Sequence, residues 1–231
     1  MGALAQISAK DGRTFQAYMA APAHARGPGL IVLPEIFNVN ETIRQVVDDY
    51  ATDGFVTLAP DMFWRTTPGL HMTYTPENSK QGLALYATLD RGAAVEDVDA
   101  CIRVLRQHKQ VNGRIAVMGF CMGGEIALLA GCRLPVDAVV IYYGTRMEPH
   151  LDEMARLSPP TLMHFAERDP HVPLSTVEAI KARVAGLPHV EIYVYDGADH
   201  AFARTNHPQF HRTAATTARE RALRLLSALR D

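Results

Sequence analysis

The sequence predicts an α/β fold: a single domain over residues 1–231, with a mostly parallel central sheet, an N-terminal antiparallel hairpin and helices on both faces. Three observations carry this expectation. Short apolar runs rich in Val and Ile, among them "LIVLP", "RIAVMG" and "VDAVVIYYG", read as strands buried on both faces. These runs alternate with stretches of helical period, as in βαβ units. The opening segment instead places Ile7, Phe15 and Tyr18 about "KDGR", whose Asp11-Gly12 is a strong hairpin-turn signal.

Taken in order, "GPG" at 27–29 releases the chain from the hairpin into "LIVLP". Asn40 is an N-cap for a helix in which Ile43, Val46, Val47 and Tyr50 share a face, and Gly54 ends it. "FVTLAPD" is a further buried strand. Residues 61–78, "DMFWRTTPGLHMTYTPEN", show no period and carry the only Trp, so they read as a long functional loop. Helices are expected at about 79–89 and 91–109, then the strand "RIAVMG" and a helix over 122–131. The strand "VDAVVIYYG", the strand and loop "PTLMHFAERD", a helix over 173–186, the strand "VEIYVYDG" and a long helix over 208–229 complete the alternation.

Composition narrows the function. The chain is 48% hydrophobic and 21% charged, with a formal net charge of -2. Both signs are mixed along it, and no basic run could follow a phosphate backbone, so nucleic acid is not an expected partner. No apolar run is long enough to span a bilayer, so no membrane is expected. "MGALAQISAK" lacks the basic and apolar regions of a secretory signal, and three scattered cysteines do not suggest a disulfide framework. The expected compartment is the cytoplasm.

The chemistry concentrates at "GFCMGGEIALLA". Gly119-Phe-Cys121-Met-Gly123 has the form of a nucleophile elbow, with a strand before it and a helix after it. A turn this tight has no room for side chains beside the nucleophile, hence the glycines. The helix start offers free N–H groups and a partial positive charge, which favour a thiolate. The Met122 N–H is placed for a developing oxyanion. Cys101 and Cys132 lack this setting and read as packing residues.

An elbow of this kind takes its acid and then its base from later strand ends. "ERDPHVP" supplies Asp169, and "GADHAFAR" supplies His200. Asp199 is the rival acid, but it adjoins the imidazole it would have to orient. Glu167 and Asp196 are weaker rivals. Of the ten histidines, His71, His164 and His171 could line the site, although structural or solvated roles suit them better. No His/Cys/Asp cluster has metal-ligand spacing, so neither a metal nor an organic cofactor is expected.

With "LPEIFNVN", "APDMFWR", "GFCMGG", "YYG", "ERDPHVP" and "GADHAFAR" in this order, the chain resembles the dienelactone hydrolase family of the α/β-hydrolase superfamily almost end to end. The resemblance implies an α/β-hydrolase fold and hydrolysis of small lactones or esters. It gives Glu35 a role beside the thiol, restraining it at rest and helping to take its proton. It makes the Ile36 N–H the second oxyanion donor, and it places Phe37 and Tyr143 along the site. It matches Arg204 to a substrate-carboxylate anchor. Ser79 stands where the family pattern has a second arginine, with Lys80 beside it as a weaker substitute.

The expected function is therefore cysteine-dependent hydrolysis of a small ester or lactone, with or without a carboxylate, through Cys121, His200 and Asp169, by a monomer or small homo-oligomer. The alternatives are a general carboxylesterase or thioesterase with the same triad, and a non-catalytic ligand-binding protein that keeps the fold.

Overall fold

The computed structural model describes residues 1–230. Eight strands follow the hydrogen-bonded order β1-β2-β4-β3-β5-β6-β7-β8: β1 (Ala3–Ser8), β2 (Thr14–Ala20), β3 (Gly27–Leu33), β4 (Val56–Pro60), β5 (Val111–Phe120), β6 (Ala138–Tyr142), β7 (Thr161–Ala166) and β8 (Val190–Tyr195). The pairs β1–β2 and β2–β4 are antiparallel, whereas β3–β4, β6–β7 and β7–β8 are parallel. The sheet is thus mostly parallel with an antiparallel N-terminal hairpin, as the residue pattern predicts. The chain divides into two compact units, residues 1–116 with Arg230 and residues 117–229.

In the first unit the hairpin turns at Gly12, whose φ of 85° suits glycine. Helix α1 (Glu41–Thr52) starts where the Asn40 side chain accepts the Ile43 N–H at 3.2 Å, and it buries Ile43, Val47 and Tyr50. Helix α3 (Arg91–Gln107) is capped by Asp90 and buries Val98, Ile102 and Leu105. Helix α2 (Pro76–Thr88) starts three residues before its expected position. Its cap explains the difference: Thr75 accepts the Asn78 N–H at 3.2 Å, and Pro76 occupies the first turn, where its missing N–H costs nothing.

The long loop is pinned within this unit. Asp61 accepts bonds from the Asn38 side chain (2.6 Å) and from the N–H groups of Phe63 (3.0 Å) and Gly69 (2.7 Å). Asn40 reaches the Met72 carbonyl at 3.1 Å. Trp64 stacks on Phe15 and donates its indole N–H to Asp97 at 2.8 Å, where Arg65 also binds. Burial raises the Asp97 pKa against the pull of these two donors.

In the second unit, α4 (Met122–Arg133) is buried on all sides through its first ten residues and packs on β6. Helix α5 is Leu174–Val184, and α6 (Arg212–Ser227) lies on β6 and β7. Helix α6 starts at Arg212 rather than 208, because His211 caps it by accepting the Ala214 N–H at 3.2 Å. Within β7, His164 is fully buried. Its Nδ1 meets the Tyr195 hydroxyl at 2.9 Å, and that hydroxyl accepts from Arg221 at 3.0 Å.

Burial, aided by the Arg221 charge, pushes the His164 pKa from 6.5 down to about 3. The folded protein therefore refuses a proton that the unfolded chain accepts. Stability from this group is complete above the unfolded pKa and is lost as pH falls toward the folded one, with a limiting slope of about 1.4 kcal/mol per pH unit. His164→Phe keeps a ring in place and removes the titration. Urea denaturation from pH 7 to 4 should show a shallower loss of stability for this variant than for wild type. Parallel curves would refute the assignment.

Candidate active site

Strand β5 ends at Phe120 and α4 begins at Met122, so Cys121 alone makes the turn, at φ 53° and ψ -112°. A positive φ is unfavourable for a residue with a Cβ and persists only where its surroundings enforce it. Here they do. The Cys121 N–H donates to the Tyr142 carbonyl at 3.0 Å, and the Cys121 carbonyl accepts from the N–H groups of Gly124 (2.9 Å) and Thr145 (3.2 Å). A Cβ on Gly119 would stand 2.0 Å from the Gly123 carbonyl oxygen, and one on Gly124 would stand 2.6 Å from the Gly144 Cα. The glycines are there to let backbone meet backbone. Cys121 is 8% exposed, with its Sγ 4.0 Å from the Thr145 hydroxyl.

Asp169 lies in the loop after β7 and His200 in the loop after β8. His200 Nδ1 is 2.7 Å from Asp169 Oδ2. The other Asp169 oxygen accepts the N–H groups of His171 (2.8 Å) and Val172 (3.2 Å), so the backbone of its own turn holds the carboxylate in place. Tyr143, itself at φ 40°, sets its ring edge-on to His200 at 5.0 Å, and Phe202 packs on Tyr143 at 5.4 Å.

The charge balance follows from these contacts. Burial disfavours the imidazolium of His200. Negative charge on Cys121, the Asp169 hydrogen bond and the hydrogen bond with Cys121 outweigh it and raise the pKa from 6.5 to about 10. With Nδ1 occupied by Asp169, the other ring nitrogen is left for the thiol. Burial moves the other thiols the opposite way: the Cys101 pKa is pushed far up, and that of Cys132 rises to about 11. Neither is a thiolate near neutrality.

The rival acids are occupied elsewhere. Asp199 is half-exposed and pairs with Arg168 at 3.3 Å, and Glu167 accepts the Gly197 N–H at 2.7 Å. Asp196 is exposed. Arg204 is buried, its backbone tied to the Ala201 carbonyl at 2.9 Å. The remaining expected site residues belong to the first unit. Glu35, Ile36 and Phe37 follow β3 and are buried. Helix α2 comes so close that a Cβ on Gly82 would stand 2.5 Å from the Ile36 carbonyl oxygen. Lys80, two positions from Gly82, is exposed away from that contact, and the Ser79 hydroxyl donates to the Thr75 carbonyl at 2.9 Å. Among the described residues no group of three or more His, Cys, Asp or Glu side chains is arranged to hold a metal ion.

Two neighbours of this cluster had weak signals in the residue pattern. Thr145 has only its position just past "YYG" to mark it. His171 follows Asp169 by two residues, and its ring stands edge-on to His200 at 4.7 Å.

A family model described as the dienelactone hydrolase family matches residues 15–229. The carboxymethylenebutenolidase of Pseudomonas putida is 32% identical over 226 residues, which cover 97% of this chain and 96% of that protein. Carboxymethylenebutenolidase 1 of Cupriavidus pinatubonensis is 30% identical over 227 residues, covering 98% of this chain and 97% of its own. A solved structure of a provisionally named dienelactone hydrolase from Klebsiella pneumoniae matches with a TM-score of 0.88 at 25% identity, covering 98% of each chain.

The turn gives its own test. Gly119→Ala forces a methyl group onto backbone, which cannot move aside as a side chain would. It should cost at least about 3 kcal/mol in urea denaturation, the upper end of ordinary overpacking. A loss within the range of a surface substitution, about 0.5 kcal/mol, would contradict the close approach.

Proposed function

Because the chain belongs to the dienelactone hydrolase family and is a hydrolase, we propose that it cleaves small lactones or esters with Cys121 as nucleophile, His200 as acid–base and Asp169 as the residue that orients His200. The observation that carries this reading is one imidazole held between a carboxylate, at 2.7 Å on Nδ1, and the thiol of the strained turn.

The Cys121 thiolate adds to the acyl carbon and the carbonyl oxygen becomes an oxyanion. The Met122 N–H at the start of α4 donates to that oxyanion, and the resemblance assigns the second donor to the Ile36 N–H. The tetrahedral centre collapses as the His200 imidazolium gives its proton to the leaving oxygen, which in a lactone stays tethered to the acyl group. A thioester remains on Cys121. His200, now neutral, takes a proton from water as the water attacks. The acid is released and the thiolate–imidazolium pair returns. The resemblance also gives Glu35 control of the resting thiol.

Arg204 is the proposed anchor for a substrate carboxylate, as suits relatives named for carboxymethylenebutenolide. A specific observation favours the neutral-ester reading beside it: Ser79 spends its hydroxyl on the Thr75 carbonyl, and Lys80 is exposed.

Cys121→Ala should lower p-nitrophenyl acetate turnover by at least about a thousandfold while the fold is kept, and Asp169→Asn by about a hundredfold or more. Asp199→Asn should stay within about twofold, as for a surface change. A folded Cys121→Ala protein with near-wild-type turnover would remove the mechanism. Arg204→Ala tests the anchor separately. A lost charged hydrogen bond should cut kcat/KM for an acidic lactone about ten- to a hundredfold and leave that for the neutral ester nearly alone. An unchanged ratio of the two would remove Arg204 from carboxylate recognition.

A further inference from the structure

His171 is an exposed histidine whose ring stands edge-on to the buried ring of His200, with centroids 4.7 Å apart. Its own backbone N–H fixes the Asp169 oxygen that His200 does not use, at 2.8 Å. The charged groups that face it are Asp169, on its own loop, and His200, from the loop after β8. Beyond His200 lies Cys121, hydrogen-bonded to the same ring. We propose that His171 is a positioning residue that sets the acid edge of activity: neutral, it packs against His200, and charged, it opposes the imidazolium.

This role rests on the proposed pairing of Cys121 and His200 as thiolate and imidazolium. Two like charges this close disfavour each other wherever both titrate. Exposure lets His171 exchange protons with solvent, whereas His200 is sealed in. When His171 takes a proton from solvent, the imidazolium beside it loses part of its support. A larger share of molecules then carries the His200 proton on the Cys121 sulfur. In that share His171 is charged, His200 is neutral and the thiol is unreactive, with no net change beyond the one proton taken up. Although the residue reaches solvent, the partial burial of its ring and then the His200 charge lower the His171 pKa below 6.5, and Asp169 pulls the other way. The device therefore acts on the acid side of neutrality and leaves the pair intact above it.

The test compares wild type with His171→Phe, which keeps an edge-on ring without a charge, and His171→Gln, which keeps neither. Two profiles are measured from pH 4.5 to 8.5, each normalised to its own plateau: kcat/KM for p-nitrophenyl acetate, and the alkylation rate of Cys121 by iodoacetamide. Both variants should carry the acid midpoint down by about one pH unit, roughly a tenfold gain in relative rate on the acid limb, in both profiles. Superimposable profiles for all three proteins would overturn the proposal. So would a shift in His171→Gln that His171→Phe does not share, since that would mark a packing role. The alkylation profile reads the thiol without turnover, so it remains decisive even if Cys121→Ala were to show that the nucleophile lies elsewhere.

Discussion

A cysteine at φ 53°, standing alone between the last residue of a strand and the first of a helix, is the constraint on which the rest of the site depends. The chain does not adopt this conformation for its own sake. Three backbone hydrogen bonds, to Tyr142 and from Gly124 and Thr145, hold the peptide on either side of Cys121. Two glycines allow backbone contacts that any side chain would block. What the strain secures is a direction: the thiol leaves the sheet at its carboxyl edge, at the start of a buried helix, where later strand ends bring Asp169 and His200.

The same residue type is treated in opposite ways at two places in the second unit. His164 and His200 are both buried, and burial alone would keep both neutral. At His164 nothing opposes burial, and the charge of Arg221 adds to it, so the pKa falls to about 3. His200 is hydrogen-bonded to the Asp169 carboxylate and to Cys121, and these two partners outweigh burial and raise its pKa to about 10. One is a ring packed inside a strand and the other is held between Asp169 and Cys121. Neither burial nor residue identity decides between these fates. The sign of the neighbouring charge does.

Much of this was legible in the residues because local rules and the global fold agree. Asp11-Gly12 marks a turn, Asn40 a cap, and the glycines about Cys121 a backbone contact. The order of Cys121, Asp169 and His200 along the chain follows from the strands they terminate. The features that escaped depend on partners remote in sequence. Residues 61–75 have no period because Asp61, Asn38, Asn40 and Asp97 hold them, a constraint that no spacing encodes. Thr75 was hidden inside that loop although T-P-E is a good helix start. His171 could not be told from a solvated histidine until the loop after β8 brought His200 against it.

The central claim is that Cys121 and His200 share a proton as a thiolate–imidazolium pair. The most direct measurement is the titration of the His200 ring by NMR in wild type and in Cys121→Ala. The expected result is a wild-type midpoint well above 6.5, falling by more than one pH unit when the negative sulfur is removed, since only Asp169 then supports the cation. A His200 midpoint that is the same in both proteins would contradict the pair, and with it the account of how this thiol is made reactive.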